Sequence, residues 1–234
     1  MRTKRFVGHV LVLCLALLVL ASSSNQASTR VLFIGNSYTY VNGGIDKQLE
    51  GLAPSIATSR QTAAGYTLER HWNEGDALRA IRRGGWSYVV LQEQSQTPVF
   101  DQQKFYQFAR EFDREIRAGG AQTLLLMTWE RPDSIAHGVT TAHLAAAYNA
   151  IGTKLGAKVT PAGLAFARSL HERPDLLLYS QDGHPTIYGT YLTACMLYGT
   201  IFARSPVGNL YSDRSISPAM RTYFQHIAAE SLGF

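Results

Sequence analysis

Ser37 stands at the end of Arg30-Val31-Leu32-Phe33-Ile34-Gly35-Asn36-Ser37, four apolar residues that run straight into Gly-Asn-Ser. A serine hydroxyl is a poor nucleophile until a base removes its proton. The chain supplies a candidate base far downstream, in Asp182-Gly183-His184-Pro185. A serine nucleophile, a histidine general base and an aspartate that orients the imidazole make up the chemistry of acyl transfer. Gly-Asn-Ser by itself is also ordinary turn chemistry. The late Asp/His segment, set in a loop ahead of an apolar helical stretch, favours the catalytic reading. The six other histidines lack that combination of acidic neighbour, loop and helix start; His71 and His143 fall in helical stretches and His9 near the start of the chain.

The elements that must position these residues follow from the pattern of apolar runs. Short runs at 30–34, 55–61, 87–91, 123–128 and 157–160 are expected strands. Amphipathic stretches at 43–53, 68–83, 101–118 and 140–155 are expected helices, followed by a helix at 186–203 after the Asp/His loop and another near 217–230. The alternation predicts an α/β fold with a parallel sheet and helices on both faces. In open α/β sheets ligands bind outside the carboxyl ends of the strands, which is where Ser37 falls. Phe105, Phe108 and Phe112 recur at helical spacing and are expected in the core.

The start of the chain has a different character. Arg2, Lys4 and Arg5 precede an almost unbroken apolar run from Val7 to Leu20, then Ala21-Ser22-Ser23-Ser24. This is the pattern of a secretory signal peptide over 1–21, cleaved after Ala21, with Ser23 or Ala27 as further options; an uncleaved anchor is the rival. The run is short for a membrane span of about 20 residues. A polar linker, 22–29, would lead into one domain over 30–234, and the mature chain would be secreted or periplasmic, with no stable membrane insertion. The 22 Lys and Arg exceed the 17 Asp and Glu by five, and loss of the three basic residues at the start reduces the excess to two. No basic block remains that would mark a nucleic-acid partner. Cys195 is the only cysteine besides Cys14, so the mature chain has no internal disulfide. No zinc-type spacing is present, and neither a metal nor another cofactor is expected. About 210 residues suffice for one full core.

Gly35-Asn36-Ser37 after the first strand, a Gly after the second, a polar cluster after the third and the late Asp/His-Pro segment resemble the SGNH hydrolases, the GDSL-like esterases. The resemblance spans 30 to about 203. It implies a flavodoxin-like three-layer α/β/α sandwich and an ester hydrolase that forms an acyl-enzyme on Ser37. His184 would be the base and Asp182 the orienting acid. Asn36 stands where the family usually has Asp and would support the turn. The usual Asp-x-x-His spacing is one residue shorter here, with Gln181 in the usual acid position, so either Asp182 still reaches His184 or a backbone carbonyl orients it. The oxyanion hole would combine the N–H groups of Ser37 and Gly65 with a side-chain amide from Leu91-Gln92-Glu93-Gln94-Ser95-Gln96, where the family has Gly-x-Asn-Asp. Gln94 corresponds to the family's Asn, with Gln92 as the fallback.

A signal peptide with an amide-rich site points to small acyl groups on carbohydrate, making a carbohydrate deacetylase the expected activity. A lipase or thioesterase of the same fold is the first alternative, and a non-catalytic carbohydrate-binding protein with a decayed site the second. Glu93 and Glu130, at strand ends, would suit a glycosidase, although that leaves Ser37 and the late His unexplained. Trp129 is either a sugar-stacking wall or a core residue.

Overall fold

The computed structural model describes residues 29–234, so the expected signal peptide lies outside the described residues. β1 (Thr29–Gly35), β2 (Ile56–Thr62), β3 (Tyr88–Leu91), β4 (Gln122–Leu126) and β5 (Lys158–Thr160) form one sheet in the order β2-β1-β3-β4-β5. Every neighbouring pair is parallel. This is the flavodoxin-like strand order, and the chain switches sides of the sheet between β1 and β3. Ser37 leaves the sheet at that switch point.

The helices are α1 (Ser37–Tyr40), α2 (Ile45–Leu52), α3 (Leu68–Glu74), α4 (Asp76–Arg82), α5 (Thr97–Phe100), α6 (Gln102–Ala118), α7 (Pro132–Ile135), α8 (Thr141–Leu155), α9 (Ala162–Glu172), α10 (Ile187–Phe202) and α11 (Pro218–Leu232). Side chains alternate along β1 and divide the core into two layers. Val31 and Phe33 face a cluster built from α2, α9, α10 and α11. Leu32 and Ile34 face a second cluster built from α3, α4, α6 and α8. Burial on both faces explains why β1 is continuously apolar rather than alternating. Each such side chain contributes roughly 1.5–3 kcal/mol when fully buried. Phe105, Phe108 and Phe112 fill the second layer as the spacing predicts.

Besides the one-turn helices α1, α5 and α7, two regions depart from expectation. The stretch 68–83 is not one helix but two, because Gly75 adopts φ +79 and turns the chain between α3 and α4. α9 was not expected: its first turn is Ala-Gly, and Gly163 is there because a Cβ would collide with the Thr128 carbonyl oxygen. α10 is buried along most of its length and holds Cys195, whose thiol is pushed up to about 12 by burial. Among the described residues no helix is long and apolar enough to cross a membrane.

Candidate active site

The turn after β1 is held from several sides. A Cβ on Gly35 would fall 2.5 Å from Gln92 Oε1 and 2.7 Å from Thr39 Oγ1, so only glycine lets the chain pass this close to β3. Gln92 Oε1 accepts from the Asn36 N–H (2.9 Å) and from the Thr39 hydroxyl (3.0 Å). Gln92 Nε2 donates to the Glu93 carbonyl at 2.6 Å. Asn36 is extended and caps α1: its Oδ1 accepts from the Tyr38 N–H (3.1 Å). Its Nδ2 donates to the Tyr66 carbonyl at 3.1 Å, tying the turn to the loop after β2. This is the supporting role expected of Asn36. His71, buried in α3, donates from Nε2 to the Gly35 carbonyl at 2.7 Å. Burial holds its pKa below the ordinary histidine value, so it serves as a neutral strut. Ser37 emerges from this clamp at the first helical position, only 9% exposed.

The opposing wall is the loop ahead of α10. Tyr179 pairs with Pro185, and the Ser180 N–H donates to the His184 carbonyl at 2.9 Å. Asp182 Oδ1 accepts from the Ser180 hydroxyl (2.6 Å) and the His184 N–H (3.2 Å). Its Oδ2 lies 2.9 Å from His184 Nδ1. His184 Nε2 lies 2.8 Å from Ser37 Oγ. The structure therefore brings Ser37, His184 and Asp182 into one hydrogen-bonded series. The short Asp-x-His spacing is absorbed by Gly183 at φ +84, where a Cβ would collide with the Arg131 side chain and the Tyr38 hydroxyl. No backbone carbonyl substitutes for Asp182. The Ser180 hydroxyl, followed by the backbone N–H and imidazole of His184, lowers the Asp182 carboxyl to about 2 and keeps it ionised.

Trp129 and Arg131, beyond β4, hold this loop in place. Trp129 Nε1 donates to the Gly183 carbonyl at 3.0 Å and Arg131 Nη1 to the Asp182 carbonyl at 3.3 Å. Trp129 is buried, with the Tyr38 ring stacked on it at 4.8 Å and the Phe166 ring at 4.2 Å. A sugar-stacking role is thereby excluded, because its neighbours already cover it. Tyr38 meets the His184 ring edge-on at 5.4 Å.

Of the expected oxyanion donors, the Ser37 N–H lies in the first turn of α1, where an amide has no intrahelical acceptor. Gly65 has φ +70, is exposed and has open space in the direction of a Cβ. Gln94 Oε1 accepts from the N–H groups of Gln96 (2.8 Å) and Thr97 (3.2 Å), which fixes the amide in the turn before α5. Its Nε2 makes one long bond, 3.4 Å, to Ser95 Oγ. Gln92, the fallback donor, has both ends of its amide engaged in the clamp by bonds of 3.0 Å or less, tighter than the Gln94 Nε2 bond. The two glutamates do not form a glycosidase pair either. Glu130 Oε2 accepts from the Thr141 N–H (2.6 Å) at the start of α8, and Glu93 is buried on backbone N–H groups. The supporting roles of His71, Gln92, Trp129 and Arg131 escaped the sequence reading. The one available signal was their position, at strand ends or one helical turn beyond the loops.

No protein-family model and no curated protein matches this sequence. Solved structures do match. A DUF4886 family protein from Bacteroides uniformis is 19% identical with a TM-score of 0.71, over 87% of this chain and 94% of that one. A candidate SGNH hydrolase from Slackia heliotrinireducens is 24% identical with a TM-score of 0.66, over 74% of this chain and 99% of that one. The lipase/acylhydrolase from Enterococcus faecalis is 14% identical with a TM-score of 0.60, over 75% of this chain and 96% of that one. At these identities the likeness establishes the fold, which is the one the resemblance implied.

Proposed function

On this fold, that of the SGNH hydrolases, we propose that the chain is a serine hydrolase of carboxylic esters. The observation that carries the reading is the continuous run from Ser37 Oγ through His184 to Asp182, at 2.8 and 2.9 Å. In this reading Ser37 Oγ attacks the ester carbonyl carbon while His184 Nε2 takes its proton. The ionised Asp182 stabilises the imidazolium and fixes the tautomer. The N–H groups of Ser37 and Gly65 and the amide of Gln94 receive the oxyanion. Collapse expels the alcohol, which takes the proton from His184, and leaves the acyl group on Ser37. Water, deprotonated by the same histidine, then releases the acid.

For the substrate we propose small acyl groups on carbohydrate, as the polar loop after β3 supports, with action outside the cytoplasm, as the character of residues 1–21 supports. A second reading, longer acyl chains, is favoured by Phe100 and Ile135, which are 55% and 49% exposed on the short helices after β3 and β4. A groove of about 370 Å³ is bordered by Val99, His143 and His137, whose ring the Phe100 ring meets at 6.3 Å. Turnover of p-nitrophenyl acetate that vanishes in Ser37→Ala supports the hydrolase, and unchanged turnover refutes it. A chain-length series from acetate to palmitate, run beside acetylated xylan, separates the two substrate classes. Recovery of the protein from the cytoplasmic fraction alone would refute export.

A further inference from the structure

Glu93 follows Gln92 at the carboxyl end of β3 and is 1% exposed. A carboxyl group buried so deeply is costly unless its oxygens are hydrogen-bonded. Its Oε1 accepts from the Gln94 N–H at 2.7 Å and from the Leu68 N–H at 3.2 Å. These two donors belong to different segments. Gln94 carries the side-chain amide of the loop after β3. Leu68 opens α3 directly after Gly65-Tyr66-Thr67, and the Thr67 side chain caps that helix by accepting from the Arg70 N–H (3.2 Å). The same short loop is anchored to the nucleophile turn through the Tyr66 carbonyl and Asn36 Nδ2. Burial pushes the Glu93 carboxyl up to about 8, with the charges of Glu69 and Asp101 acting in the same direction. Both bonds converge on this one carboxyl, the Leu68 N–H lying also 3.3 Å from Oε2.

We propose that Glu93 is a positioning residue for ester hydrolysis: its buried carboxyl joins the Gln94 loop to the Gly65 loop, so that the two donors are held toward one point. This rests on the serine-hydrolase reading above. The role follows from connectivity: without the carboxyl, neither donor loop is bonded through this point to the other. A donor that drifts loses transition-state stabilisation while substrate binding is retained, which separates the role from simple core support.

The test compares Glu93→Met, close in size but without an acceptor, with Glu93→Gln, which keeps an oxygen that can take both bonds. In the full chain Glu93→Met is expected to lower kcat for p-nitrophenyl acetate at least about tenfold, with KM within about twofold. Glu93→Gln is expected to stay within about threefold of wild type, because both bonds are restored. Adding Glu93→Met to Gln94→Ala should cost less than the product of the two single losses, since one of the two donors that Glu93 holds is already gone. Amide exchange in 15N-labelled protein should quicken together at Gln94, Leu68 and Tyr66, whose N–H donates to the Ala63 carbonyl at 3.2 Å, in Glu93→Met and not in Glu93→Gln. Folded Glu93→Met with wild-type kcat, or losses that multiply with Gln94→Ala, overturns the proposal. Should Glu93→Met fail to fold, Glu93→Asp decides, because it keeps the carboxyl one carbon short of its donors: a kcat loss at unchanged KM supports the role and wild-type kcat overturns it. If wild type hydrolyses no ester, the exchange data still discriminate. Joint loosening of the two loops upholds the coupling and places the failure in the catalytic reading, whereas exchange unchanged at Tyr66 overturns the coupling itself.

Discussion

The turn after β1 and the loop before α10 meet at a single hydrogen bond, between Ser37 and His184, and are built in opposite ways. Asn36, Ser37 and Thr39 are buried, and Gln92, His71 and Tyr66 bond the turn from three separate elements. The loop carrying Asp182 is open, with the aspartate side chain 68% exposed. It is shaped by its own short-range bonds among Ser180, Asp182 and His184, with Trp129, Arg131 and Asn42, which donates to the Pro185 carbonyl at 2.7 Å, as outside supports. A nucleophile must be aimed at a fixed carbonyl, so it gains from a rigid mount. In the proposed reaction the histidine takes a proton and returns it, and a more open loop suits that cycle.

The largest effect is expected where the two regions meet. Ser37→Ala should reduce kcat on the order of a million-fold, and His184→Ala nearly as much, while the double variant is little worse than either. A serine-directed phosphonate should label wild type at Ser37 alone. Labelling elsewhere, or additive losses, would show that the turn and the loop do not act as one unit.

The next comparison lies within the rigid side. Gln94→Ala should lower kcat roughly a hundred- to a thousand-fold at nearly constant KM, as expected for an oxyanion donor. Gln92→Ala should instead lower stability, because the buried Asn36 N–H and Thr39 hydroxyl each lose an acceptor, at about 1–3 kcal/mol apiece. Thermal unfolding beside kinetics reads both. Reversed results would return the donor role to Gln92.

On the open side, Asp182→Asn should cost clearly less than the about ten-thousand-fold loss known for a buried triad aspartate, because an exposed carboxylate is screened by water. Gly183→Ala should cost about tenfold in kcat through displacement of His184, since a methyl group at φ +84 meets Arg131 and Tyr38. Steady-state kinetics suffices for both. A loss in Asp182→Asn equal to that in His184→Ala would remove the distinction between the two walls.

The sequence made the strand order's raw material legible, because β1, β3 and β4 are buried on both faces and read as unbroken apolar runs. Ser37, His184 and Asp182 were legible because each sits in a short, chemically distinctive segment. What stayed hidden depends on contacts distant in sequence. Gln92 and Gln94 are chemically identical, and only their neighbours in space decide that one clamps Asn36 while the other caps α5. Trp129 gave no sign of being covered, because Tyr38 and Phe166 lie far from it along the chain. The break at Gly75 was hidden by an apolar pattern that continues across it.

The last comparison tests the difference between the walls through protons. Glu93, on the buried side, has its carboxyl raised to about 8, above the ordinary 4.5 expected once unfolded. Below that lower value both states carry the proton and pH has no leverage. Between 4.5 and 8 the unfolded chain has released a proton that the folded chain retains, so stability falls as pH rises through this window. Glu93→Gln carries no titrating proton there and should gain on wild type, on the order of a few kcal/mol, between pH 5 and pH 8. Asp182, on the open side, has its carboxyl lowered to about 2 from 3.8, so whatever it contributes is present above that range and is lost only as pH falls through it. Asp182→Asn should therefore run parallel to wild type from pH 5 to pH 8. Urea unfolding of the three proteins at the two pH values measures this directly. Parallel curves for Glu93→Gln as well would mean that the Glu93 carboxyl ionises in the folded protein no later than in the unfolded chain.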